Sequence, residues 1–296
     1  MIWIIGNRGM LGRELSVTLE RHGLEYIGTG REVDITNPDA LSAFVENQKA
    51  PFKWIVNCSA YTAVDKAEDD AVICRKLNID GSGNIAKVAK KIGANLIYIS
   101  TDYVFDGKGI IGSFGVRPYK EEDHTSPNGV YAQSKRDGEN RVLQENDRSY
   151  IIRTAWLYGK YRKNFVYTML SLMKEKDMIS VVNDQRGSPT WTYDLAETIT
   201  AFIKKAGTVS FGLYHYTNEG NITWFDFAQE IYAKGKRLGI LTKNCMVSPC
   251  TSVEFPTRAK RPAYSVLDKT KVKKTLGIDI PDWNISLGEF LKICEV

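Results

Sequence analysis

Short β-rich runs alternate along the chain with longer stretches in which apolar residues recur every three or four positions. The runs fall at 2–5, 24–28, 54–58, 95–101 and 149–156, and their alternation with helix-length segments predicts the strands of a parallel sheet covered on both faces. Helical spacing between them predicts helices over 10–22, 39–48, 70–92 and 131–146, with Gly23 and Gly93 following the first and third where left-handed caps belong. This β-α-β-α order predicts a doubly wound parallel sheet, an α/β fold. After Trp156 the rhythm changes. Helices are predicted near 164–176, 192–205 and 223–238 and short strands at 179–182 and 213–217, the pattern of a smaller α+β lobe. The expected division is a first domain over 1–160, rejoined by 184–207, and a second lobe made of 161–183 and 208–296, with a cleft between them.

Composition narrows the class. The 296 residues are 43% hydrophobic and 25% charged, ordinary for a water-soluble protein, and no segment is apolar for long enough to span a bilayer. The start, Met1-Ile2-Trp3-Ile4-Ile5-Gly6, reads as a first strand rather than an export signal, so a cytoplasmic location is expected and no membrane partner. Cys58, Cys74, Cys245, Cys250 and Cys294 are scattered and form no Cys-x-x-Cys pair, which argues against a disulfide framework or a thiolate metal site; no metal is expected. A formal charge of +5 is too small and dispersed for nucleic-acid binding, yet suits a diphosphate-bearing ligand.

Between the first strand and the first helix stands Gly6-Asn7-Arg8-Gly9-Met10-Leu11-Gly12. Glycines at this spacing permit a tight turn and close backbone approach to a pyrophosphate, and the N–H groups at the helix start, from Gly9 through Met10 and Leu11 to Gly12, can receive the anion. In the strand-turn-helix context the array predicts a Rossmann-type dinucleotide site. At the tip of the second strand the chain reads Thr29-Gly30-Arg31-Glu32. The Arg31 guanidinium can pair with an adenosine 2′-phosphate and stack on adenine, favouring NADPH, whereas adjacent Glu32 leaves NADH open; the alternative for Arg31 is a solvated surface charge. Asp34 and Ile35 suit the adenine edge, with an exposed turn as the alternative for Asp34.

Tyr-x-x-x-Lys occurs twice, at Tyr131/Lys135 and Tyr232/Lys236. Either pair shares one helix face, but the first alone starts a helix that follows a strand ending in Ser100-Thr101-Asp102, where a site at the strands' carboxyl edge would gather. Hydride addition to a ketone creates an alkoxide that needs a proton as it forms. Tyr131 is the expected acid, with its pKa lowered by Lys135 and by the nicotinamide charge, and Lys135 also the expected ribose ligand. Thr101 can donate to the substrate oxygen, and Asp102 can orient the substrate; a satisfied strand-end hydroxyl is the alternative for Thr101.

These blocks, together with Asn57-Cys58-Ser59-Ala60-Tyr61-Thr62-Ala63-Val64-Asp65-Lys66-Ala67-Glu68 and Ser100 to Gly107, resemble the dTDP-4-dehydrorhamnose reductase family of extended short-chain dehydrogenase/reductases over nearly the whole chain. The resemblance extends through Arg153 to Trp156, Asn164-Phe165, Asn183 to Thr190 and Arg261-Pro262. It implies reduction at C4 of dTDP-4-dehydro-6-deoxy-L-mannose to dTDP-L-rhamnose with NADPH or NADH, with a nucleotide-sugar as partner and a homodimer allowed. Ala60, Tyr61 and Thr62 would line the cofactor, Trp156 would pack on the sugar, and Arg261 would neutralise the diphosphate; an interlobe core position and a surface ion pair are the respective alternatives. Residues 108–120 form a longer stretch than expected for the family, read as a surface loop near the cleft.

Three rival functions share the fold. A sugar 4,6-dehydratase needs a further acid after the catalytic threonine, where this chain has Asp102-Tyr103. An epimerase would retain NAD and turn over without added reductant. A non-catalytic NADP-binding regulatory subunit has no physical need for Thr101, Tyr131 and Lys135 together.

Overall fold

A computed structural model describes residues 1–112 and 115–294. In chain order the elements of the first half are β1 (Ile2–Ile5), α1 (Met10–Arg21), β2 (Tyr26–Thr29), α2 (Pro38–Glu46), β3 (Trp54–Asn57), α3 (Ala71–Arg75), α4 (Ser82–Lys91), β4 (Asn95–Thr101), β5 (Ile110–Gly112), β6 (Gly115–Arg117), α5 (Val130–Glu145) and β7 (Ser149–Thr154). There follow β8 (Leu157–Tyr158), α6 (Phe165–Glu175), β9 (Met178–Val182), β10 (Arg186–Gly187), β11 (Thr190–Trp191), α7 (Thr192–Lys204), β12 (Gly212–His215), β13 (Ile222–Thr223), α8 (Trp224–Arg237), β14 (Met246–Cys250), α9 (Thr270–Leu276) and α10 (Trp283–Ile293).

Six parallel strands make the central sheet in the order β12-β7-β4-β3-β1-β2. Side chains alternate across it with the period of two that a strand imposes. Ile2 and Ile4 face Leu11, Leu15 and Leu19 of α1 and Leu195, Ile199 and Phe202 of α7, whereas Trp3 and Ile5 face Leu41, Ile85, Ala89 and Val142 from α2, α4 and α5. Both faces are therefore covered, which is why β1 reads as an unbroken apolar run. The order reverses between β1 and β3, and the crevice at that reversal is where a doubly wound sheet binds its ligand. Gly23 and Gly93 adopt positive φ just after α1 and α4, as their positions predict.

The smaller lobe gathers α6, α8 and α10 around Leu170, Phe227, Ile231 and Phe290, with β9 and β14 paired in parallel. Three expectations change here. Residues 213–217 were assigned to this lobe, but β12 is the sixth strand of the central sheet, bonded to β7. Segment 208–296 is thus not wholly in the second lobe, because Val209, Tyr214, Val272 and Leu276 pack in the same core as β1 and α1. The helix expected over 70–92 is broken into α3 and α4 by a π-helical turn at Lys76–Gly81. The stretch 108–120 is not simply a loop, since Ile110, Ile111 and Gly112 of β5 pair with Arg117, Val116 and Gly115 of β6; Ser113 and Phe114 lie outside the described residues. Among the described residues no helix is long and apolar enough to cross a membrane.

Candidate active site

The glycine turn is built for close approach. Gly6 has φ +84°, and a Cβ on Gly12 would stand 2.3 Å from the Gly6 carbonyl oxygen, so a side chain there would push α1 off the turn. Gly9 is the N-cap of α1 and offers no capping side chain, which leaves the N–H groups of the first turn, Met10 to Gly12, for an anion. Asn7 Oδ1 is buried without a hydrogen-bond partner among the described residues. A Cβ-free cradle and an uncapped helix start fit a dinucleotide pyrophosphate.

At the tip of β2, Arg31 is exposed, whereas Glu32 accepts the Gly30 N–H at 2.6 Å and pairs with Arg8 at 3.4 Å. Two arginines therefore flank this tip, and Arg8 comes from the glycine turn itself. Asp34 accepts the backbone N–H and hydroxyl of Thr36 at 2.9 and 2.8 Å, a self-contained turn that holds its carboxyl below the usual range. Ile35 is buried, its side chain lying where a Cβ on Gly81 would be.

The block after β3 is stapled by a residue that periodicity does not single out. Asn78, buried in the π turn, accepts from Tyr61 N–H at 2.8 Å and donates to the Tyr61 carbonyl at 3.1 Å and to Ser134 at 2.9 Å. It ties the Ala60-Tyr61-Thr62 segment to α5, the helix that carries Tyr131 and Lys135. Tyr61 also donates from its hydroxyl to Asp70 at 2.7 Å, and Thr62 is exposed. The available signal was a polar residue on the buried face of an amphipathic helix, and π turns recur at functional sites.

Thr101 ends β4. Its hydroxyl donates to Asp102 Oδ1 at 2.9 Å and accepts the Tyr103 N–H at 3.2 Å. Asp102 is 3% exposed; burial raises its carboxyl to about 6, opposed by the hydroxyls of Ser265 and Thr101, and its Oδ2 has no hydrogen-bond partner among the described residues. Tyr131 stands beside them in the first turn of α5, edge-on to Tyr103 at 5.7 Å between centroids. Desolvation lifts its phenol above the ordinary tyrosine range, while the neighbouring Thr101 hydroxyl pulls the other way. The lowering expected from the sequence rests on Lys135 and the nicotinamide charge together, and of the two Lys135 supplies none here. The reason is that Lys135 turns elsewhere: its Nζ donates to the Ile99 carbonyl at 2.7 Å and lies 4.1 Å over the Tyr98 ring. Burial lowers Lys135 to about 7, partly offset by Glu139 one turn along α5. Glu139 is itself clamped to Arg153 of β7 at 2.8 and 2.7 Å, a buried two-bond pair that pins α5 against the sheet.

The second Tyr-x-x-x-Lys pair sits on α8 in the other lobe, where the Tyr232 hydroxyl accepts the Cys245 N–H at 3.5 Å and Lys236 donates to the Thr242 carbonyl at 2.8 Å. Trp156 adopts φ +46°, stacks on Trp224 at 3.5 Å, and lies against Gly187, where a Cβ would be 2.6 Å from its ring. It is half-buried at the junction of the lobes. Arg261 bonds Asp65 at 2.5 Å and the Tyr103 hydroxyl at 3.0 Å, at the edge of a ≈160 Å³ cavity also lined by Lys108, Asn128 and Lys260. Tyr103, Asp65 and Arg8 are the site-forming residues that sequence reasoning left without a role.

The RmlD substrate binding domain family matches residues 1–296. A dTDP-4-dehydrorhamnose reductase of Streptomyces griseus is 41% identical over 99% of this chain and 94% of its own length. Among solved structures, a dTDP-4-dehydrorhamnose reductase of Clostridium acetobutylicum ATCC 824 is 40% identical, covers 99% of this chain and 98% of its own, and superposes with a TM-score of 0.90. That of Bacillus anthracis str. Ames, in complex with NADP, is 35% identical with a TM-score of 0.89 and 98% coverage of both chains. The chain belongs to the dTDP-4-dehydrorhamnose reductase family.

Proposed function

We propose that this chain reduces the C4 keto group of a nucleotide-linked deoxysugar, dTDP-4-dehydro-6-deoxy-L-mannose, to give dTDP-L-rhamnose, with NADPH as the preferred reductant. The observation that carries the reading is the meeting of Thr101, Asp102 and Tyr131 at the carboxyl edge of β4, on the same edge of the sheet as the uncapped start of α1. When bound, NADPH supplies the hydride. The Gly6–Gly12 turn would hold its pyrophosphate, Arg31 its 2′-phosphate, Asp34 and Ile35 the adenine side, and Ala60, Tyr61 and Thr62 the wall.

Tyr131 is the proton donor. Its raised pKa keeps the phenol protonated at neutral pH, the state a reductase must start from, and the developing alkoxide is a strong enough base to take the proton. Thr101 donates to the same oxygen, exchanging its bond to Asp102 for one to the substrate. Asp102 Oδ2, buried without a partner among the described residues, is an acceptor for a sugar hydroxyl. Lys135, held at the Ile99 carbonyl, places a cation and donors beside the ribose. Trp156 meets the sugar, and Arg261 meets the diphosphate.

The test is NADPH oxidation across a panel of nucleotide 4-ketosugars with the product stereochemistry determined. The reading expects turnover with the dTDP-linked 4-keto-L-mannose derivative and a rhamno-configured product. Cofactor binding without turnover across the panel would favour a regulatory subunit, and turnover without added reductant an epimerase.

A further inference from the structure

The segment Arg258–Arg261 is strapped across the end of the cofactor-lining block. Asp65 accepts Arg261 Nη2 through Oδ2 at 2.5 Å and the Ala259 N–H through Oδ1 at 3.0 Å, and Asp69 pairs with Arg258. The other terminal nitrogen of Arg261 donates to the Tyr103 hydroxyl at 3.0 Å, and the Tyr103 ring touches Tyr131. Arg261 is thus aimed and already charge-paired at the rim of a cavity whose other cations are Lys108 and Lys260 and whose acid, Asp106, accepts from the Tyr119 hydroxyl and the Lys108 N–H.

We propose that Asp65 is an internal anion that occupies Arg261 until a substrate diphosphate displaces it, so that nucleotide-sugar binding is an exchange of anions and Asp65 sets the affinity. The inference rests on the reading of Arg261 as the diphosphate contact. Three features favour it. A guanidinium presents a fixed fork of donors, and the edge on Asp65 is the one a phosphate would share or take, while the Tyr103 bond keeps the group oriented through the exchange. The pair is partly open to solvent, Arg261 at 25% and Asp65 at 45% exposure, so its net strength is modest and it can be displaced. A diphosphate brings more charge and more acceptor oxygens than one carboxylate, whereas a small monovalent anion does not, so the exchange also selects for the doubly phosphorylated ligand.

The experiment is calorimetric titration of the NADPH-bound full chain with dTDP, and separately with inorganic phosphate. Asp65→Asn keeps the acceptor for Ala259 and removes the charge, and is expected to tighten dTDP binding by about two- to fivefold, the worth of a part-exposed ion pair. Arg261→Ala is expected to weaken it by about tenfold or more, since a charge-assisted hydrogen bond is lost. The double variant should match Arg261→Ala alone, because Asp65 acts through Arg261. Asp69→Asn, which removes the same charge from the neighbouring ion pair, should leave the affinity unchanged and so separates a local exchange from an overall charge effect. Unchanged or weaker dTDP binding by Asp65→Asn, with Arg261→Ala still damaging, would overturn the exchange while sparing the diphosphate reading. An Arg261→Ala variant that binds dTDP normally would remove that reading and the exchange with it. Equal tightening by Asp65→Asn and Asp69→Asn would also overturn it.

Discussion

Two helices of this molecule carry the same Tyr-x-x-x-Lys spacing in different surroundings. On α5, Tyr131 stands against Thr101, Asp102 and Tyr103 at the carboxyl edge of the central sheet, and Lys135 is sealed against Ile99 and Tyr98. On α8, Tyr232 and Lys236 bond to the backbone of the connection toward β14 and meet neither the glycine turn nor a strand-end hydroxyl. Spacing supplies a shared helix face, and the sheet edge supplies the chemistry. The contrast also reaches charge: burial lowers Lys135 to about 7, a perturbation of the sort that accompanies function.

The comparison can be broken most severely at the lysines. Lys135→Met is expected to lower kcat/KM by about 10³-fold, the upper range for a preorganised charged donor in a water-excluded site, whereas Lys236→Met should stay within about twofold, as surface substitutions do. Steady-state NADPH oxidation by both variants checks this, and comparable losses would dissolve the distinction. Thr101→Val, which keeps shape and removes the donor, should lower kcat by about 10²-fold with NADPH affinity retained, the cost of one oxyanion donor. Loss of cofactor binding instead would make Thr101 a structural residue.

The pH profile should separate the two helices as well. Lys135 acts as the cation, so with its pKa at about 7 the active form is present below that value and is lost as pH rises through it. The kcat/KM for NADPH, which reports the free enzyme, should be about tenfold lower at pH 8 than on its acidic plateau. Lys135→Arg should remove this fall, and a wild-type profile flat from pH 6 to 8 would contradict the assignment. The smallest effect is expected at Arg31, an exposed charge: Arg31→Ala should raise KM for NADPH about fivefold and leave NADH unchanged. Equal losses with both cofactors would move the 2′-phosphate contact elsewhere, Arg8 being a second cation at that tip.

The α1 end of the site was legible because its signals are local. Apolar β1, the Gly6–Gly12 turn and the Gly23 cap are adjacent in sequence, and each residue's conformation follows from its own chemistry. The missed parts depend on distant partners. Four residues at 212–215 look alike whether they join a large sheet or a small one, and only pairing with β7 decides it. Strand β14 includes Pro249, which weakens a strand signal, and is accommodated in a two-stranded sheet with β9. The π turn is hidden because α3 and α4 keep helical periodicity on either side of Asn78. The lowering of Tyr131 is expected from Lys135 and the nicotinamide charge, and for the Lys135 part side-chain direction and burial, not spacing, decide which effect wins. The Asp65–Arg261 pair bridges residues 196 apart, which no local pattern encodes.

The most direct measurement uses NADPH carrying deuterium at the transferable position of the nicotinamide, with the 4-keto substrate and mass spectrometry of the sugar product. The account predicts deuterium at C4 of a rhamno-configured product from the wild-type chain, the same outcome from Tyr232→Phe, and none from Tyr131→Phe despite undiminished NADPH binding. A Tyr131→Phe chain that delivers the label at near wild-type rate, or a wild-type product free of it, would contradict the account.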